Sequence, residues 1–183
     1  MLDALVADGV DGLTVLDIGG GIGAIHHDLL RAGARSVTDV DGSTAYLDAA
    51  REEARRQGHA ARIDYRHGDF VQLATGITPA DIVILLRVLC CYPDMHALVQ
   101  ASAGRARRSY GVIYPRSTWW MRAAAAVFDA VRPVEGSVSG PGYVHAERDV
   151  DRAVRGEGFA PVVTDATFYW RIALYRRVET PAA

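Results

Sequence analysis

The 183 residues, half of them hydrophobic, suit one globular domain, since a chain of this size buries roughly 70% of its unfolded surface. A net charge of -2 supplies no excess cation for counterion-driven binding to a phosphate backbone, so nucleic acid is a disfavoured partner. All 20 basic residues are Arg, which excludes a Schiff-base or P-loop lysine.

No apolar run approaches the roughly 18 residues of a membrane span, and Asp3 and Asp8 stand where a secretory leader would be basic. Both features point to a cytoplasmic protein with no membrane partner. Cys90 and Cys91 are adjacent, with Cα atoms about 3.8 Å apart, below the usual disulfide range. They predict no disulfide.

Strand-like and helix-like stretches alternate along the chain. Strands are expected at Leu13–Ile18, Ser36–Val40, Ala61–His67, Asp81–Leu86 and Gly111–Tyr114. Helices are expected at Gly23–Arg31, Thr44–Gln57 and His96–Arg108. This order predicts a parallel sheet, because parallel strands need crossover helices. A helical stretch from Trp119 to Val131, with an alanine run at 123–126, leads to a Gly/Ser/Pro-rich loop at Glu135–Gly142 and a helix at Glu147–Arg155. Phe159–Ala166 and Tyr169–Arg177 are too close for a crossover and predict an antiparallel hairpin.

Val15-Leu16-Asp17-Ile18-Gly19-Gly20-Gly21-Ile22-Gly23 reads as a strand entering a glycine turn that opens a helix, where backbone amides can approach a ligand. Gly19, Gly21 and Ala24 also satisfy the dinucleotide pattern G-x-G-x-x-A. Asp17 weighs against that reading, because a carboxylate attracts an ammonium group and repels a pyrophosphate. Asp41, about twenty residues beyond the turn, ends a second strand where ribose hydroxyls need acceptors, with Gly42 next to it. Asp39 lies within the strand and reads as a polar-face residue. In Gly68-Asp69-Phe70, Asp69 could accept an adenine amino hydrogen while Phe70 packs on the ring.

Together these residues resemble the signature of class I S-adenosylmethionine-dependent methyltransferases: D-x-G-x-G-x-G, an acidic strand end, then G-D. The resemblance runs from about Leu13 to Arg177. It implies an α/β Rossmann-like fold, a seven-stranded mostly parallel sheet with an antiparallel C-terminal hairpin and helices on both faces, in a single domain over 1–183. S-adenosylmethionine is the implied cofactor and S-adenosylhomocysteine its product. Asp17, Gly19 and Gly21 would hold the methionine part, Asp41 the ribose hydroxyls, and Asp69 and Phe70 the adenine, with Gly20, Gly42 and Gly68 also in the cofactor set. Arg87, directly after the fourth strand, joins the cofactor set.

The fourth strand runs into Cys90-Cys91-Tyr92-Pro93-Asp94, on the side where open α/β sheets bind ligands. This segment, with Tyr114-Pro115-Arg116 and Trp119-Trp120, resembles a small bacterial branch of the class and, more distantly, the magnesium-protoporphyrin O-methyltransferases. The chain departs from that branch in Leu86, where an Asp is common, and in having only about a dozen residues ahead of Leu13. Tyr92, Tyr114, Arg116 and Trp120 are the candidate substrate residues, the aromatics as an apolar wall and Arg116 as partner for a carboxylate. His145 is the candidate general base. Cys91 reads as a buried structural thiol, and His26 and His27 as helix surface or packing.

No acidic cluster follows the fourth strand, so no metal is expected. The reading is methylation of a small molecule, by resemblance an O-methylation through in-line displacement. The alternatives are a non-catalytic S-adenosylmethionine-binding module and a dinucleotide-dependent oxidoreductase. A lid over the site would come from 119–142 or from a second copy, leaving monomer and homodimer both open.

Overall fold

The computed structural model describes residues 1–123, 127 and 142–178. Residues 124–126 of the alanine run, residues 128–131 of the expected 119–131 helix and nearly all of the 135–142 loop lie outside the described residues. A helix does begin at Trp119, where the Arg122 amide bonds the Thr118 carbonyl.

Helices are α1 (Leu2–Ala7), α2 (Ala24–Arg31), α3 (Thr44–Gln57), α4 (Phe70–Leu73), α5 (Met95–Ala103) and α6 (Glu147–Gly156). Strands are β1 (Thr14–Ile18), β2 (Ser36–Asp41), β3 (Ile63–His67), β4 (Ala80–Leu86), β5 (Ala106–Pro115), β6 (Phe159–Ala166) and β7 (Trp170–Arg177). They form one sheet in the order β3-β2-β1-β4-β5-β7-β6. The first five strands are mutually parallel, and β7 is antiparallel to both β5 and β6.

The central strands are covered on both faces. Leu16, Ile18, Val83 and Leu85 point into one core with α5 and α6, while Val15, Val37, Ile82 and Ile84 point into the other with α1 and α2. Each fully buried aliphatic side chain contributes about 1.5–3 kcal/mol relative to exposure. Ser43 caps α3 by accepting the Tyr46 amide, and Gly58 closes it in the left-handed region at φ 73°.

The expected helix at His96–Arg108 is too long. It stops at Ala103, because Gly104 is a poor helix former and Ala106 already pairs with Ala80 of β4. Arg107 and Arg108 therefore belong to β5. Ala61 and Arg62 form a 3-10 turn ahead of β3 rather than its first residues.

Candidate cofactor site

Chain order reverses at β1, which has β2 on one side and β4 on the other, and ligands of open α/β sheets sit outside the carboxyl ends of the strands at such a point. A cavity of about 440 Å³ lies there, bounded by Gly19, Gly42, Gly68, Asp69, Phe70 and Tyr92 among others. Gly19 needs its glycine twice over: φ is 66°, and a Cβ would run into the Val88 side chain. Its amide donates to the Val40 carbonyl at 2.7 Å, which ties the turn to β2.

The carboxylates divide the labour differently from expectation. Asp41 is buried at 8% exposure instead of lying on an open strand end. Its Oδ2 accepts the Gly21 amide at 3.2 Å and its Oδ1 the Ser43 amide at 2.8 Å, so it clamps the glycine turn to the start of α3. A carboxylate has about four lone-pair sites, which leaves capacity for a hydroxyl. Asp69 lines the cavity and accepts from the Val71 amide and the Tyr92 hydroxyl. Phe70 is buried in the core and borders the cavity.

Asp17 and Asp39 are register partners on β1 and β2, both fully buried on the α2 side. Asp17 Oδ2 meets His26 Nδ1 at 2.8 Å; its Oδ1 and both oxygens of Asp39 have no hydrogen-bond partner among the described residues. A Cβ on Gly20 would come within 2.7 Å of Asp39 and 2.8 Å of Asp17, so the middle glycine lies directly on this acid pair. Burial, and next the charge of Asp17, push the Asp39 carboxyl up to about 7. Asp39 is thus no polar-face residue: helices cover that face, and α2 packs over it. His26 and His27 are buried rather than on the helix surface, and His27 Nδ1 meets His59 Nδ1 at 3.0 Å. Desolvation, with the charge of His26 after it, holds His27 down to about 4.

Other expected residues scatter. Tyr92 belongs to the cofactor cavity through its bond to Asp69. Tyr114 is 2% exposed and sits in the core, because α6 packs over that face of β5 through Val150 and Val154; burial pushes its hydroxyl up to about 12. Arg116 faces Glu147 at 4.0 Å, and Arg87 stands over the Trp170 ring at 5.1 Å instead of bordering the cavity. Trp120 stacks on Phe168 at 4.8 Å and meets Tyr169 edge-on, at the same carboxyl end of the sheet. His145 Nε2 donates to the carbonyls of Leu89 and Tyr92 at 2.9 and 3.0 Å, so only Nδ1 remains as a base. Cys91 is exposed, not buried, and Cys90 is half-buried.

Sequence reasoning missed His67, Val88, Phe168 and Tyr169. His67 ends β3 at the cavity and contacts the Gly42 carbonyl at 3.2 Å, a position the strand-end rule could have supplied. Phe168 and Tyr169 form the tight turn of the hairpin, where apolar residues 65% and 53% exposed are uncommon. Among the described residues no helix is long and apolar enough to cross a membrane.

A seven-stranded sheet with β7 inserted antiparallel, and an acid-flanked glycine turn at its switch point, defines the class I S-adenosylmethionine-dependent methyltransferase architecture. Residues 15–108, just over half the chain, match the family model described as "Methyltransferase domain", and the chain belongs to that family. It is 36% identical over 100 residues to a ubiquinone biosynthesis O-methyltransferase of Actinobacillus pleuropneumoniae serotype 7, a match covering 52% of this chain and 42% of that protein. A namesake from Maricaulis maris is 41% identical over 80 residues, or 43% of this chain and 30% of that one. These matches span less than half the length of the curated relatives. The crystal structure of magnesium protoporphyrin IX methyltransferase from Synechocystis PCC 6803, with bound S-adenosylhomocysteine, superposes with a TM-score of 0.77 at 25% identity, covering 97% of this chain and 82% of that one. S-adenosylmethionine is the cofactor of this class, and the glycine cradle, into which a Cβ at Gly19 does not fit, is consistent with close backbone approach to it.

Proposed function

We propose that this chain methylates a hydroxyl oxygen of a small, largely apolar acceptor, with S-adenosylmethionine as donor. The observation that carries the proposal is the cavity at the switch point, lined by Gly19 at the start of the glycine turn and by Gly42, Asp69 and Phe70. When bound, the cofactor supplies an electrophilic methyl group on a sulfonium. The chain's own part is alignment. The Asp41 clamp fixes the glycine turn, Asp69 is oriented by Tyr92, and Phe70 lines the cavity beside Asp69. Positioning of this kind lowers a bimolecular barrier by up to roughly 7–11 kcal/mol.

The apolar character of the acceptor rests on Trp120, Phe168 and Tyr169, an aromatic group at the same end of the sheet. Oxygen as the acceptor atom is supported by the names of the curated relatives. Titration calorimetry with S-adenosylmethionine, S-adenosylhomocysteine and NAD tests the donor half; saturable adenosyl binding without NAD binding is expected, and the reverse would refute it. Transfer of labelled methyl to a panel of phenols, catechols, carboxylic acids and amines tests the acceptor half. Labelling confined to the amines would refute oxygen transfer.

A further inference from the structure

The turn after β4 holds two thiols side by side. Arg87, which opens it, has φ 62°, a left-handed conformation that a non-glycine residue adopts at a cost and that recurs at functional sites. The 3-10 turn Leu89–Cys91 follows, and both sulfurs stand against the Arg87 carbonyl, Cys90 Sγ at 3.1 Å and Cys91 Sγ at 3.7 Å. The two Sγ atoms are 3.9 Å apart. From behind, the Tyr143 amide bonds the Cys90 carbonyl at 2.8 Å, and His145 holds the carbonyls on either side. The pair is therefore fixed in place yet open to solvent at Cys91.

Its spacing decides what it can bind. A relaxed disulfide has sulfurs about 2.05 Å apart and Cα atoms at least about 4.4 Å apart, and this pair, with its sulfurs at 3.9 Å and a trans peptide between the residues, has neither. A single atom bonded to both sulfurs at ~2.3 Å, the thiolate–zinc length, would span the 3.9 Å gap with an S–X–S angle of about 116°. A pyramidal trivalent centre takes a narrower angle, and rotation of the two side chains about χ1 brings the sulfurs the roughly half an ångström closer that it needs. Among the described residues no group of three or more His, Cys, Asp or Glu is placed to hold a metal ion. The occupant must bring its own remaining ligand.

The geometry points to Cys90 and Cys91 as a bidentate site for a soft, thiophilic trivalent centre that carries its own third substituent, of the organoarsenical class. With phenylarsine oxide the balance is simple. Two S–H bonds and the arsenic–oxygen bond break, two arsenic–sulfur bonds form, and the oxygen leaves as water with both protons. Arsenic stays trivalent, so no oxidant or reductant takes part. The hydrogen bond from Cys90 favours the thiolate of Cys91 and pushes the Cys90 thiol up, which supplies the first nucleophile.

Phenylarsine oxide is titrated into the intact protein, with adducts read by native mass spectrometry and free thiols counted with a chromogenic disulfide. One adduct per chain is expected, with both thiols lost together, and release by a dithiol but not by a monothiol at the same concentration. Cys90→Ser and Cys91→Ser should each bind at least about 100-fold more weakly, because the second bond of a chelate forms at high effective concentration. If either variant unfolds, the dithiol-against-monothiol release from the wild type decides. Loss of only one thiol, release by the monothiol, or single variants binding within about threefold of the wild type would overturn the site.

Discussion

Replacing Asp39 with Asn keeps the shape of the side chain and removes its charge from beneath the glycine turn. In the folded wild type the carboxyl is held near 7, against 3.8 in an unconstrained chain, by burial and then by Asp17. A carboxyl raised in this way keeps a proton that the unfolded chain has already lost. Its contribution to stability therefore falls as pH rises from about 4 to 7 and stays low above that. At about 1.36 kcal/mol per unit, the fall between pH 5 and 8 comes to ~2–3 kcal/mol. His27 acts in the opposite sense over the same window. It is held down to about 4 in the folded state, so acid favours the unfolded chain from pH 6.5 downward, and the two slopes roughly cancel in the wild type. Asp39→Asn removes only the first slope, and its new amide can donate to the unpartnered Asp17 Oδ1. Urea unfolding followed by circular dichroism at pH 5, 6, 7 and 8 should show the stability gap, variant over wild type, widening by ~2–3 kcal/mol toward alkaline pH. A gap that is constant with pH, or a variant less stable than wild type at pH 8, would refute the placement of a raised carboxyl there.

Asp41→Ala frees the amides of Gly21 and Ser43 together, so it should cost ~1–3 kcal/mol in unfolding free energy and weaken S-adenosylhomocysteine binding at least tenfold by calorimetry. Gly19→Val should abolish that binding, since strain and the Val88 collision coincide. Gly21→Val meets open space and suffers only the left-handed strain of ~1–2 kcal/mol, so a folded variant with weakened, measurable binding is expected. Trp120→Ala and Phe168→Ala should raise KM for the acceptor several-fold while leaving the affinity for S-adenosylhomocysteine unchanged; equal loss of both would place the aromatic group elsewhere in the cycle.

Some elements are legible because their signals are local. Ser43 and Gly58 bracket α3 at Thr44 and Gln57, and three residues between β6 and β7 permit nothing but a hairpin. The glycine turn and the Gly68-Asp69 step are legible for the same reason. What escaped depends on neighbours distant in sequence. Asp39 looks solvated until α2 covers it, and Tyr114 looks like a wall until β7 and α6 enclose it. Cys91 carries a residue type that is usually buried, but a strained turn lifts it to the surface. The end of α5 turns on pairing between Ala106 and Ala80, which no window of sequence contains.

The insertion of β7 between β5 and β6 has a cost during synthesis. Until Trp170–Arg177 has been made, the β5 edge carrying Tyr110, Val112 and Tyr114 has no neighbour on that side. Arg177 lies 62 positions beyond Pro115, so at about 5–20 residues per second a growing chain carries this apolar edge unpaired for roughly 3–12 s. An unpaired edge of that kind is a template for pairing with other chains. Ribosome crowding, or a stall introduced after Pro115, should therefore send more of the product into aggregates than the same stall placed beyond Arg177.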